Sequence, residues 1–286
     1  MTKQLNLIIC TGWGYKTDLI AVFVESWKRY QAHNSELIML VEPDIAQDKL
    51  NYLLESGVDV RFYTAGYFIP SAIHNTRYFK YLDILLEERG VYDRVFHCDV
   101  RDVAFQGDIF AEIPAPTDGS ADLFVNEEDP RFNLGERFNK YILTTNYGEA
   151  VAKELEPNRI LCSGTTLGSQ EDIIKYIVTL MNQRDIKKMM EAGGIPDEQG
   201  PYNYIFHKNL IPHTKLVNGD GVGTICLVQP DDIKILDDGR VSVYGKIPAV
   251  IHQWDRHCVV EPNLPKHYTN LYLKDLGYVI PIQPNH

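Results

Sequence analysis

Short apolar runs alternate with stretches of helical period through the N-terminal third of the chain, and this alternation constrains the fold more than any other feature. Residues 5–9 form an apolar run. Gly12 and Gly14 follow, and then Asp18 precedes Ile20, Phe23, Val24 and Trp27, which recur at the spacing of one helix face. The plan repeats with a run at 37–41, a helical stretch at 45–54, Gly57 as the residue after the helix end, and a run at 58–63. Asn75 is a candidate N-cap for a helix with Tyr78, Tyr81, Leu82, Leu85 and Leu86 on its apolar face, and residues 94–98 are the next strand. Strands joined by helices in this way predict a parallel sheet.

The pattern changes further on. Residues 122–125 read as a strand, whereas 126–147 are polar and aromatic without clear periodicity, which suits an irregular substrate-binding loop. A strand at 160–162, a turn at Ser163 and Gly164, a helix over 172–190 and a short helix from about 198 to 207 come next. Strand-like runs then dominate, at 225–228, at 233–236 and 241–244 across an Asp-Gly turn, and at 250–254. The expected architecture is α/β and Rossmann-like: a mixed central sheet flanked by helices, with a smaller β-rich C-terminal lobe. No linker-like segment interrupts it, so one domain is expected over 1–286, with lobes at 1–110 and 111–260 and a tail at 261–286.

Charge narrows the partners. A formal net charge of -11, with no cluster of Lys and Arg, excludes nucleic acid as the main partner, because phosphate neutralisation needs grouped basic residues. An acidic protein still binds a nucleotide diphosphate when a cation stands between carboxylates and phosphates. The five cysteines are odd in number and widely separated, which reads as buried thiols in a reducing compartment. No signal-like N-terminus and no apolar run approaching the roughly 20 residues of a membrane span are visible, so a cytoplasmic protein without a transmembrane segment is expected.

In an open α/β sheet, ligands bind beyond the carboxyl ends of the strands, and Asp99 and Asp102 stand immediately after the run at 94–98. Two carboxylates three positions apart on a turn can converge on one hard divalent cation. The plainer alternative is that they cap the turn or pair with Arg94 and Arg101.

The surroundings favour the metal. The helix carrying Arg77 leads to the segment 92–110, in which Asp99 and Asp102 are followed by Gly107 and Asp108. This arrangement resembles the centre of GT-A glycosyltransferases, particularly glycosyltransferase family 8, where a strand ends in an Asp-x-Asp motif. Counting back from Gly107 and Asp108 puts Asp102 on the family's second Asp and Val100 on its first, so Asp99 would serve with its register shifted by one. Residues 161–168 resemble the family's strand-turn beside the donor sugar, implying contacts from Ser163 and Gly164. Glu198, Gln199 and Asn203 resemble its Asp-Gln segment with a later Asn. Residues 250–254 resemble a C-terminal strand whose His completes the metal site, which nominates His252, with His257 as an alternative ligand.

The resemblance implies a glycosyltransferase that moves a monosaccharide from a nucleotide diphosphate sugar, a UDP-sugar by expectation, to an acceptor hydroxyl on a carbohydrate or glycoconjugate, with Mn2+ or Mg2+ bound. Thr11 or Tyr15 would touch the base or ribose, and Arg77 a sugar hydroxyl or phosphate. Asp197 and Glu198 would contact the donor sugar or accept the acceptor's proton; they also read as a normal acidic first turn of a helix. For His252 the plain alternative is a core histidine. Family 8 implies retention at the anomeric carbon, whereas a carboxylate base at Asp197 or Glu198 would serve inversion. Two rival readings are a nucleotidyltransferase acting on sugar phosphates, which would need a more basic loop than the one holding Lys16, and a non-catalytic carbohydrate-binding relative.

Overall fold

The computed structural model describes residues 5–64, 73–118, 120–184, 198–212, 214–217, 221–225, 228 and 230–254. The N-terminal part alternates as its periodicity predicts: β1 (Asn6–Thr11), α1 (Thr17–Tyr30), β2 (Ser35–Val41), α2 (Gln47–Glu55), β3 (Asp59–Phe62), α3 (Ile73–Glu87) and β4 (Arg94–Cys98). The short strand β5 (Val103–Phe105) and helix α4 (Ile109–Glu112) follow, the latter capped by Asp108, whose carboxylate accepts from the amides of Phe110 and Ala111. Then come β6 (Leu123–Glu127), α5 (Arg137–Tyr147), α6 (Glu149–Leu155), β7 (Leu161–Ser169), α7 (Gln170–Asn182) and α8 (Gln199–His207). Five short strands close the described chain: β8 (Lys215–Val217), β9 (Val222–Thr224), β10 (Ile233–Ile235), β11 (Val241–Val243) and β12 (Val250–His252).

Seven strands form a mixed central sheet in the order β3-β2-β1-β4-β7-β6-β8. β3, β2, β1 and β4 are mutually parallel, and β7 runs antiparallel to both of its neighbours, β4 and β6. Both faces are covered, which is why the inner strands read as unbroken apolar runs. On β1, Ile8 and Cys10 pack with Phe23, Val24 and Trp27 of α1, while Leu7 and Ile9 pack with Tyr78 and Tyr81 of α3 and with residues of α7 and α8. Two smaller sheets, β5-β12-β9 and the hairpin β10-β11, form the β-rich part. It shares the main core, since Val222, Ala249 and Val250 pack in the same cluster as Ile8 and Phe23. Among the described residues no helix is long and apolar enough to cross a membrane.

Several local expectations are corrected. Residues 137–147 are helical: Glu136 accepts from the amides of Phe138 and Asn139, and only Asn139, Ile142 and Leu143 are buried, so the apolar stripe is too narrow to announce a helix. Ser163 and Gly164 make no turn but lie inside β7, which runs on through the buried, β-branched Thr165 and Thr166. Asn75 is not the N-cap, because the chain is already helical at Ile73; its side chain and carbonyl accept from Arg184 instead. The helix placed at 172–190 starts at Gln170, where Ser169 caps it, and ends at Asn182. A strand lies at Val222–Thr224, just ahead of the one placed at 225–228, of which residues 226 and 227 lie outside the described residues. Cys226, Cys258, Asp197, His257 and residues 261–286 fall outside the described residues.

Candidate metal centre

The site begins where β4 ends. Asp99 and Asp102 leave the C-terminal end of that strand, and the Asp99 amide donates to the Gly164 carbonyl at 2.8 Å, fixing the turn against β7. His252 arrives from β12, which pairs antiparallel with β5 in the register His252↔Val103, so the imidazole comes down beside Asp102. The Gln253 amide donates to the Asp102 carbonyl at 2.8 Å; Gln253 adopts φ +61, a left-handed conformation that bends the chain immediately after the histidine.

Donor atoms of Asp99, Asp102 and His252 lie within 4.8 Å of one another, the one such group of His, Cys, Asp or Glu among the described residues able to hold a metal ion. His252 Nε2 stands 3.7 Å from Asp99 Oδ2 and 3.6 Å from Asp102 Oδ1. Those separations are too long for hydrogen bonds and shorter than twice a metal–ligand bond of about 2.1 Å. His252 is 1% exposed, and its Nε2 has no hydrogen-bond partner. A buried polar nitrogen facing two carboxylates without a bond to either fits a cation between them, and one imidazole with two carboxylates suits a hard or borderline divalent ion.

The two oxygens of Asp99 divide their work. Oδ2 faces His252, while Oδ1 accepts from Arg77 Nη1 at 2.5 Å. Arg77 is 1% exposed, and its Nη2 lies 3.7 Å from Glu198 Oε1. The guanidinium therefore sits behind the candidate metal centre and bridges two acidic walls; a surface position for it is excluded. The sunken position of Asp99 works against ionisation, but Arg77, aided by His252, outweighs it and holds the carboxyl well below its ordinary range. Burial lowers the His252 imidazole, yet the neighbouring Cys162, Asp102 and Asp99 more than offset it, so it stands well above its ordinary value. Of the alternative pairings, the one with Arg94 does not occur, because Arg94 is bound to Asp122 at 2.8 Å, whereas Arg101 Nη2 does lie 3.8 Å from Asp102 Oδ2.

A cavity of about 500 Å³ opens over this centre. It collects every site residue expected from sequence that the structure describes: Thr11 and Tyr15 from the loop after β1, Arg77, Asp99, Asp102, Ser163, Gly164, Glu198, Gln199 and His252. Gly164 is required by close approach, since a Cβ there would lie 2.4 Å from His252 Cε1 and 2.7 Å from Asp99 Oδ2. Gln199 Oε1 accepts from the Ser163 amide at 2.9 Å, so α8 supports the wall formed by β7. Thr11 is buried, with its hydroxyl turned to the Leu40 carbonyl at 3.4 Å.

Further lining residues escaped the sequence reading: His74, Glu128, Glu136, Phe138, Asn139, Cys162 and Gln253 among them. Four of these lie in the stretch 126–147, expected to be an irregular substrate-binding loop, which lines the cavity although part of it is helix. No signal singled out Cys162, whose position at the site follows from strand pairing alone. No protein-family model matches the chain, and no curated protein matches it either.

Proposed function

We propose that this chain is a metal-dependent glycosyltransferase of the GT-A type, transferring a monosaccharide from a nucleotide diphosphate sugar, a UDP-sugar in the first instance, to an acceptor hydroxyl on a carbohydrate. The observation that carries this reading is convergence: segments far apart in sequence, each resembling a different motif of that class, meet around one cavity at the carboxyl ends of parallel strands. Asp99, Asp102 and His252 would hold Mn2+ or Mg2+. Such an ion, when bound, stabilises the negative charge that builds on a departing diphosphate.

The remaining roles belong to side chains. Arg77 fixes Asp99 Oδ1, so that Oδ2 is presented to the centre. Tyr15 and the backbone after β1 form the wall nearest a base or ribose, and Ser163 and Gly164 the wall beside a sugar. Glu198, held against Arg77, has a second oxygen, Oε2, without a hydrogen-bond partner, and this oxygen is suited to a sugar hydroxyl or to the acceptor's proton. Asp197 is the neighbouring candidate for that work.

Thermal unfolding of the protein with a panel of nucleotide sugars, with and without Mn2+, tests the proposal. Ligands specific to the folded state raise the transition by mass action. A UDP-sugar is expected to stabilise the protein only when Mn2+ is present, and Asp102→Ala to abolish that shift while leaving the ligand-free transition in place. A shift with nucleoside triphosphate and sugar phosphate, but none with any nucleotide sugar, would point to nucleotidyl transfer instead.

A further inference from the structure

Cys162 Sγ lies 3.3 Å from His252 Nδ1, on the opposite side of the ring from the carboxylates. Both residues are buried, at 2% and 1% exposure. Gln253 Nε2 approaches the same sulfur at 3.9 Å, so the thiol is held from a second direction. We infer that Cys162 is a positioning residue for the metal centre: its sulfur accepts the Nδ1–H of His252 and thereby keeps Nε2 directed at Asp99 and Asp102 as a ligand. The inference rests on the metal-binding reading of those three residues and assigns a role to a fourth.

The chemistry is that of a histidine ligand with two distinct nitrogens. An imidazole that binds a cation through Nε2 carries its proton on Nδ1, and that N–H is buried here and needs an acceptor. Metal-bound histidines ordinarily find one in a carboxylate or a backbone carbonyl, which fixes both tautomer and ring orientation. The described residues provide a thiol in that place. The sulfur acts through the ring and not on the ion, since it is outside the group of converging donor atoms. Strand geometry explains why this residue is there. Positions 162 and 164 of β7 share a face, so the strand presents the acceptor and, two residues on, the glycine that leaves room for Cε1 and Nε2.

Titration of the full-length protein with Mn2+ alone, following the electron paramagnetic resonance signal of the free ion, provides the test. Cys162→Ala is expected to weaken Mn2+ binding by about 10- to 100-fold, the usual effect of losing the group that orients a ligand. Cys162→Ser, whose hydroxyl also accepts a hydrogen bond, is expected to recover most of that loss, whereas Cys162→Val, which fills the space without accepting a hydrogen bond, is not. As an independent readout, nitrogen-15 spectra of the Mg2+-saturated protein should place the His252 proton on Nδ1. Tight Mn2+ binding by the wild type and by Cys162→Ala alike would overturn the inference while leaving the metal centre in place, as would a Ser variant no better than Ala. Failure of the wild type to bind Mn2+ would overturn the metal centre itself.

Discussion

At the scale of single residues the centre depends on how closely two side chains approach one backbone. Gly164 is tightly enclosed: the nearest atoms to a Cβ there would be His252 Cε1, Asp99 Oδ2 and His252 Nε2, all within 2.7 Å. Gly164→Ala must therefore displace the imidazole, the carboxylate or both. Overpacking of this kind typically costs about 1–3 kcal/mol. We expect urea unfolding to show a loss in that range and Mn2+ titration to show that binding is lost; an Ala variant with normal affinity would mean that the ring can move aside. The two carboxylates were legible in the sequence because they directly follow an apolar strand. The roles of Gly164 and Cys162 were not, because the closeness that gives them meaning comes from β7 lying beside β4, a pairing that no local pattern encodes.

At the scale of elements, α8 acts as a clamp on β7. Asn203 donates to the Leu161 carbonyl at 2.9 Å and accepts from the Leu161 amide at 2.8 Å, while Gln199, one turn earlier, takes the Ser163 amide. Both contacts sit where β7 pairs across the irregularity between Val125 and Asn126, so this end of the strand needs outside support. Asn203→Ala would leave two buried backbone groups unpaired, at about 1–3 kcal/mol each. A destabilisation of at least about 2 kcal/mol in chemical denaturation is the expected result, and a change below 0.5 kcal/mol, on the order of a neutral surface substitution, would count against the clamp. Elements with a wide apolar stripe, such as α1 and α3, could be read from periodicity. The helix α5 could not, since most of its surface faces water and its start is set by a Glu cap in place of the commoner Ser, Thr, Asp or Asn.

At the scale of the whole molecule, the sheet is covered on both faces and the acidic chain concentrates its working groups at one end of it. The covered sheet also encloses His97 of β4, which is fully buried between the rings of Tyr78 and Tyr81, with neither ring nitrogen hydrogen-bonded. Burial, reinforced by Arg77, lowers its pKa from 6.5 to about 3. The native state thus binds fewer protons than the unfolded chain between those values, so stability is fully present above pH 6.5 and falls with acidification, by up to about 1.4 kcal/mol per pH unit from this group. His97→Phe should flatten the stability profile between pH 6 and about 4 in chelator-treated protein, measured by denaturant midpoints; an unchanged slope would show that other groups set it. One further consequence follows from the partner of β12. Because His252 reaches the centre only when its strand pairs with β5, the two carboxylates leave the ribosome well before the imidazole that completes their set. A nascent chain can pair β1 with β2 and β4 before β12 has been made, but it brings the three candidate ligands together only with one of its most distant pairings. On the proposed reading, metal capture is then a late event in maturation, and in effect it tests whether the chain has been made through to β12.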